Sequence, residues 1–136
     1  QPDPDGAIFR ANNEAQKVQR ELGIYEPETY THAYEALVSL FLILKQYKFN
    51  EQELVHHYDE TDTAWVLGDL NGDYAKVAFS AHDSTVDGEE LANSVVVTLE
   101  VQFGFDTETS VYNLNIQEEA LALIDKISEA WKRLNR

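Results

Sequence analysis

The chain contains no cysteine, so no disulfide staples it and neither a thiolate nucleophile nor a zinc–thiolate site can form. That absence fits a reducing compartment. The expectation is a cytoplasmic protein, or a periplasmic one where Gln1 follows a cleaved leader. With only three prolines and six glycines there is no low-complexity tract, and no internal repeat is visible. Long hydrophobic runs are missing too. The longest, Leu37-Val38-Ser39-Leu40-Phe41-Leu42-Ile43-Leu44, falls far short of the roughly 20 residues of a membrane span.

The most informative shortage is of positive charge. From Asn50 to Asp125 there are seventeen acidic side chains and one basic one, Lys76. The remaining residues hold eight acids and nine bases, so that central stretch carries −16 and the rest +1 of the total −15. A surface of one sign selects partners of the other sign. It excludes nucleic acid and anionic membrane as direct ligands, because both would be repelled.

The rest of the composition is that of a folded protein. At 136 residues, 43% hydrophobic and 11% aromatic, the chain is long enough and apolar enough for one core. Residues 1–9 are expected to be a flexible leader, with a single α+β domain over 10–136.

Helical spacing predicts a first helix over 10–22, with Ala11, Ala15, Val18 and Leu22 as its stripe and Gly23 as its stop. A second is expected from Pro27 through Leu44, with Tyr30, Tyr34, Leu37, Phe41 and Leu44 as its main buried face. A short third one over 50–58 is suggested by Asn50 as cap with Glu53 at the capping-box position.

The period then changes. Residues 64–70 and 73–81 flank Asn71-Gly72, the strongest short hairpin signal. A two-residue turn there would pair Val66 with Val77, and would place Trp65, Leu67, Asp69, Tyr74 and Lys76 together on one face. Residues 83–92 read as an acidic loop. A long strand follows, with Val95, Val97, Leu99, Val101, Phe103 and Phe105 alternating toward a buried side. A turn at Asp106–Thr109 leads to a partner strand over 110–115. The last helix is expected to open at Asn115 and to bury Ile116, Ala120, Ile124, Ile127, Trp131 and Leu134. The expected fold is therefore α+β: three N-terminal helices, a four-stranded antiparallel meander, and a C-terminal helix packed on one face.

Few motifs carry chemistry. Asp69-Leu70-Asn71-Gly72-Asp73 resembles the opening of a calcium loop, but Tyr74 stands where glycine is needed and Ser80 where a bidentate carboxylate is needed. His56-His57 with Asp59, Glu60 and Asp62 offers ligand types, yet adjacent histidines on a helix point about 100° apart. His82-Asp83-Ser84 holds triad residue types only as sequence neighbours, which is not a triad geometry. No nucleophile elbow, glycine-rich phosphate loop or His-Glu-x-x-His is present. No enzyme, metal or cofactor is expected.

The expected function is that of a small acidic inhibitor that neutralises a basic protein partner by electrostatically steered occlusion. Immunity proteins against toxin nucleases, and phage inhibitors of host defence that mimic nucleic acid with carboxylates in place of phosphates, are the obvious classes. The expected contact residues are Asp59, Glu60, Asp62, Asp69, Asp83, Asp87, Glu89, Glu90, Asp106 and Glu108, with Trp65 and Tyr74 as aromatic anchors. The alternative is an acidic secretion chaperone that binds an extended client segment as a dimer. An enzyme with an unrecognised site is a third class.

Overall fold

The computed structural model describes residues 6–22, 31–55, 61–86 and 89–135. Its elements run α1 (Ala7–Glu21), α2 (Thr31–Gln46), β1 (Asn50–Val55), β2 (Thr61–Gly68), β3 (Tyr74–Val86), β4 (Glu89–Phe103), β5 (Asp106–Asn113) and α3 (Gln117–Leu134). The strands form one antiparallel sheet in the order β1-β2-β3-β4-β5, a meander with β1 and β5 at its edges. The α+β class is as expected, but there are five strands rather than four. The described helices are α1, α2 and α3, and α1 opens at Ala7, inside the stretch expected to be leader. The expected start of the second helix at Pro27 lies outside the described residues, as do His56 and His57.

The helix expected over 50–58 is instead the edge strand β1, where Asn50 pairs with Val66 and Val55 with Thr61. A helix of about two and a half turns without an apolar stripe is marginal alone, and pairing along β2 satisfies the same backbone groups. The turn that precedes β1 directs the chain there. Lys48 adopts φ 65, in the left-handed region. Its N–H bonds Lys45 O at 3.2 Å, and the Phe49 N–H bonds Leu44 O at 2.9 Å. This pair of bonds is the Schellman motif, here without glycine. It stops α2 and drops the Phe49 side chain into the core beside Leu44.

All three helices cover one face of the sheet. Their buried residues are Ala11, Ala15 and Val18 from α1, Ala33, Leu37, Leu40, Phe41 and Leu44 from α2, and Ala120, Leu123, Ile127 and Ala130 from α3. They meet Trp65, Ala75, Val77, Val95, Val97, Leu99, Val101 and Tyr112 in a single cluster. Phe41 sits at its centre, with its ring 5.3 Å from Trp65 and 5.3 Å from Phe79. Leu123, not Ile124, takes the fully buried place on α3. Asn115 does not cap that helix. Its side-chain oxygen accepts the Val95 N–H at 3.1 Å, and α3 opens two residues later.

Three further expectations fail for local reasons. The β2–β3 connection is not a two-residue Asn-Gly turn, because that turn needs positive φ at both central residues and Asn71 is not in that region. Gly68 instead pairs with Tyr74, and residues 69–73 form the loop. Asp69 opens a type I-like turn in which Gly72 N–H bonds Asp69 O at 2.8 Å, while the Asn71 N–H bonds the Asp69 carboxylate at 2.9 Å. The register moves by one residue, pairing Trp65 rather than Val66 with Val77. The acidic segment 83–92 is a hairpin arm, with Asp83 opposite Ala92 and Val86 opposite Glu89 beyond a bulge at His82/Asp83. Finally, β4 ends at Phe103, and Gly104-Phe105 form the turn to β5.

Phe41→Ala removes the ring that joins α2 to Trp65 and Phe79. It is expected to cost about 3–5 kcal/mol in urea unfolding with an unchanged slope. Lys48→Gly relieves a left-handed residue that carries a Cβ, so a gain of about 1 kcal/mol is expected from the same measurement.

Candidate functional site

The two connections that fail as expected meet at one end of the sheet. Tyr74 opens β3 opposite Gln102 near the end of β4, so the 69–73 loop and the Gly104-Phe105 turn emerge side by side. They are tied directly: the Gly104 N–H donates to the Asp73 carboxylate at 2.9 Å. Gly104 takes φ 63 at the first turn position, where a type II′ hairpin favours glycine. The Gln102 amide then donates to Gly104 O at 2.9 Å, and the Thr107 hydroxyl donates to the Gln102 amide oxygen. The two bonds at Gly104 fix the backbone before Phe105, the pairing of Asp106 with Phe103 holds the chain after it, and the Phe105 side chain stands fully exposed at the tip.

Asp69, Asp73, Asp106 and Glu108 surround that ring in sequence and in the two connections, and all four are exposed. Arg133, close to this end on the helix side, is already engaged: it lies 4.0 Å from Glu108 Oε2 and 4.6 Å over the Phe103 ring. On the face of the sheet opposite the helices Lys76 is 3.4 Å from Glu100. The Tyr74 hydroxyl donates to the same carboxylate at 2.5 Å. That hydrogen bond, helped by burial and the carboxylate's charge, pushes the Tyr74 hydroxyl up to about 12.

The site residues expected from sequence therefore divide. Asp69, Tyr74, Asp106 and Glu108 come together at this tip. Thr61-Asp62 and the 83–90 arm belong to the other end of the strands: Tyr74 and Asp83 are separated by about 30 Å of strand at ~3.3 Å per residue. Asp83, Glu89 and Glu90 thus do not share one patch with Asp106 and Glu108. Asp59, Glu60 and Asp87 lie outside the described residues. Trp65 is 6% exposed, packed edge-on against Phe41 with the Lys45 ammonium 5.5 Å from its ring. Expected as a candidate anchor, it is a core residue, because the shifted register turns it toward the helices. Phe105 and Asp73 were missed. The signal for Phe105 was Gly104, a glycine just before a bulky residue at the end of an alternating run.

The carboxylates of the calcium-like loop point to separate backbone partners, Asn71 N–H and Gly104 N–H. Among the described residues no three His, Asp or Glu side chains are grouped to hold a metal. A groove of about 200 Å³ runs between β5 and α3, lined by Leu99, Val101, Ser110, Glu129 and Arg133 among others. A larger cleft, about 570 Å³, separates α1 from β2 and β3 and includes Glu14, Lys17, Glu21 and Glu51. Lys17 bonds Glu51 there at 3.1 Å, which raises its ammonium above the ordinary value. No described helix is long and apolar enough to cross a membrane.

No family model matches this chain, and neither the curated proteins nor the solved structures contain a match.

Because the folded state holds the Tyr74 proton more tightly than the unfolded chain does, its contribution to stability is complete below about pH 10. It should fade as pH rises toward about 12. Absorbance titration should show one tyrosine ionising near 12, and Glu100→Gln should return it toward 10. Seven tyrosines that all ionise near 10 in the wild type would contradict this account.

Proposed function

We propose that this protein is a small acidic protein-binding module that docks its hairpin tip on a basic protein partner and occludes it. One observation carries the reading: Phe105 is held fully exposed by a turn bonded through Gly104 on one side and paired to Phe103 through Asp106 on the other, among four exposed carboxylates. A solvent-exposed phenylalanine gains about 1.5–3 kcal/mol when a partner covers it. A fixed turn loses little conformational freedom on binding, so more of that gain appears as affinity.

The net charge of −15 supplies the approach. A field of that sign draws a cationic surface and raises association rates by roughly 10- to 1000-fold at low salt. The carboxylates at the tip then meet the partner's lysines or arginines at the rim, around an apolar centre. Occlusion of a cationic cleft is the neutralising action expected of an immunity protein or an anti-defence inhibitor.

Affinity capture at low salt, followed by binding kinetics on the captured basic protein, tests this. Phe105→Ala is expected to raise the dissociation rate about 10- to 100-fold with little change in association. Asn at Asp69, Asp73 and Asp106 together should slow association and flatten its salt dependence, since Asn keeps the amide-accepting oxygen at position 73. An association rate that is constant between about 50 and 500 mM salt would remove the steering half of the proposal.

A further inference from the structure

Immediately after Phe105 the chain becomes β5, with β4 on one side and, among the described residues, no strand on the other. Phe103 and Asp106 flank a two-residue turn, so they exchange backbone hydrogen bonds. Asp106, Glu108, Ser110 and Tyr112 therefore point their backbone groups at β4. Leu114, of the same parity, does so as well, bonding Val95 O at 2.9 Å. The alternate residues point outward. The Asn113 N–H is one of these, and the Glu119 carboxylate takes it at 3.1 Å, closing that end of the edge. The outward N–H and C=O groups of Thr107, Thr109 and Val111 have no partner among the described residues. Three residues with one donor and one acceptor each offer an incoming strand about six hydrogen bonds.

Several devices that blunt such an edge are absent from the strand, although Asp106 and Glu108 put charge at its start. The strand has eight residues, no proline, no lysine or arginine, and a continuous register without a bulge. Its outer side chains, Thr107, Thr109 and Val111, are β-branched and exposed, suited to cross-strand pairing. On the helix side the 200 Å³ groove beside α3 lies next to the edge, with Leu99, Val101 and Ala130 in its lining. Alternate side chains of an added strand would enter it. Its two cations are already paired, Lys126 with Glu129 at 3.5 Å and Arg133 with Glu108 at 4.0 Å. Asp106 and the net −15 of the chain set the sign of the field there.

We infer that β5 receives an extended segment of the basic partner as a sixth strand, with alternate apolar side chains in the groove beside α3 and lysine or arginine facing the carboxylates. The inference rests on the proposed basic partner and adds the mode of contact: main-chain pairing gives affinity and alternate side chains give selection. Charge selects this occupant over a second copy of the chain, which would bring another −15 to the same edge.

The probe is a synthetic peptide of about ten residues in which lysine alternates with valine, the length of a long strand. Amide exchange followed by NMR should show Thr107, Thr109 and Val111 exchanging fast in the free protein and at least about tenfold more slowly with peptide, while Ser110 and Tyr112 are protected in both. Thr109→Pro deletes one outward donor without touching the β4 ladder, as tolerated at an edge. It should abolish the new protection and leave that of Ser110 and Tyr112 intact. In Phe105→Ala the protection should persist with weaker affinity. Three outcomes overturn the inference: no slowing at the three amides, equal binding of a glutamine–valine peptide, or concentration-dependent protection without peptide, which would mark a second copy. Shifts confined to Asp73, Gly104 and Phe105 would overturn strand addition and leave the tip as the contact surface.

Discussion

A slip of one residue between β2 and β3 would turn either Trp65 out of the core or Lys76 into it. The register between these strands is the constraint on which the rest depends, because every side chain of the sheet inherits its face from it. The loop sets that register. Gly68 has φ +94, and a Cβ there would lie 2.5 Å from Asp73 O, so only glycine closes the connection at this point. Asp69 then bonds within the loop and Asp73 bonds across to Gly104. With the register held, Trp65, Ala75 and Val77 join β4's valines under Phe41, while Tyr74, Lys76 and Glu100 face the other way.

The same loop thus serves packing and presentation together. Asp73 is at once a stabilising acceptor and part of the acidic rim, and its bond to Gly104 holds the turn that carries Phe105. Charge that would destabilise the compact state by mutual repulsion is kept at low cost by its placement. The exposed carboxylates stand at connections, on the edge strands and on the wet sides of helices, in high dielectric where each pair interacts weakly, while half-buried Glu100 on the interior strand β4 is paired with Lys76. None is buried among the described residues.

Much of this was legible from residue patterns, and the misses share a cause. The stripes of α1 and α2 and the alternation of β4 from Val95 to Val101 could be read because burial imposes a period on many residues at once, whereas the stripe expected on α3 held only at Ala120 and Ile127, with Ile116 exposed. Asn50 with Glu53, Asn71 with Gly72, and Asn115 with Glu118 are short signals that propose a local structure. Each lost to strand pairing or to a contact with a strand: Asn50 to Val66, Asn71-Gly72 to the β2–β3 register across the 69–73 loop, and Asn115 to the Val95 amide. Phe105 was missed because alternation assigns a face but does not say where a strand ends. The site was legible as a charge bias alone. That Asp69, Asp106 and Glu108 lie together while Asp83, Glu89 and Glu90 lie elsewhere follows from the meander order, which composition does not contain.

An open edge such as β5 is ordinarily a hazard, since the same groups that accept a partner's strand accept another copy's. Proline or lysine on the edge would prevent both. Here the protection comes from outside the strand: two copies approaching edge to edge each carry −15, and the repulsion extends over about 8–10 Å at physiological salt. Long-range charge can therefore discriminate between occupants that the short-range hydrogen bonds cannot tell apart. A cationic segment is attracted through the field that repels a second copy, and only then meets the backbone of Thr107, Thr109 and Val111 with Phe105 beside it. In this arrangement the acidity gives specificity and rate, while the apolar anchor and the main chain hold the complex.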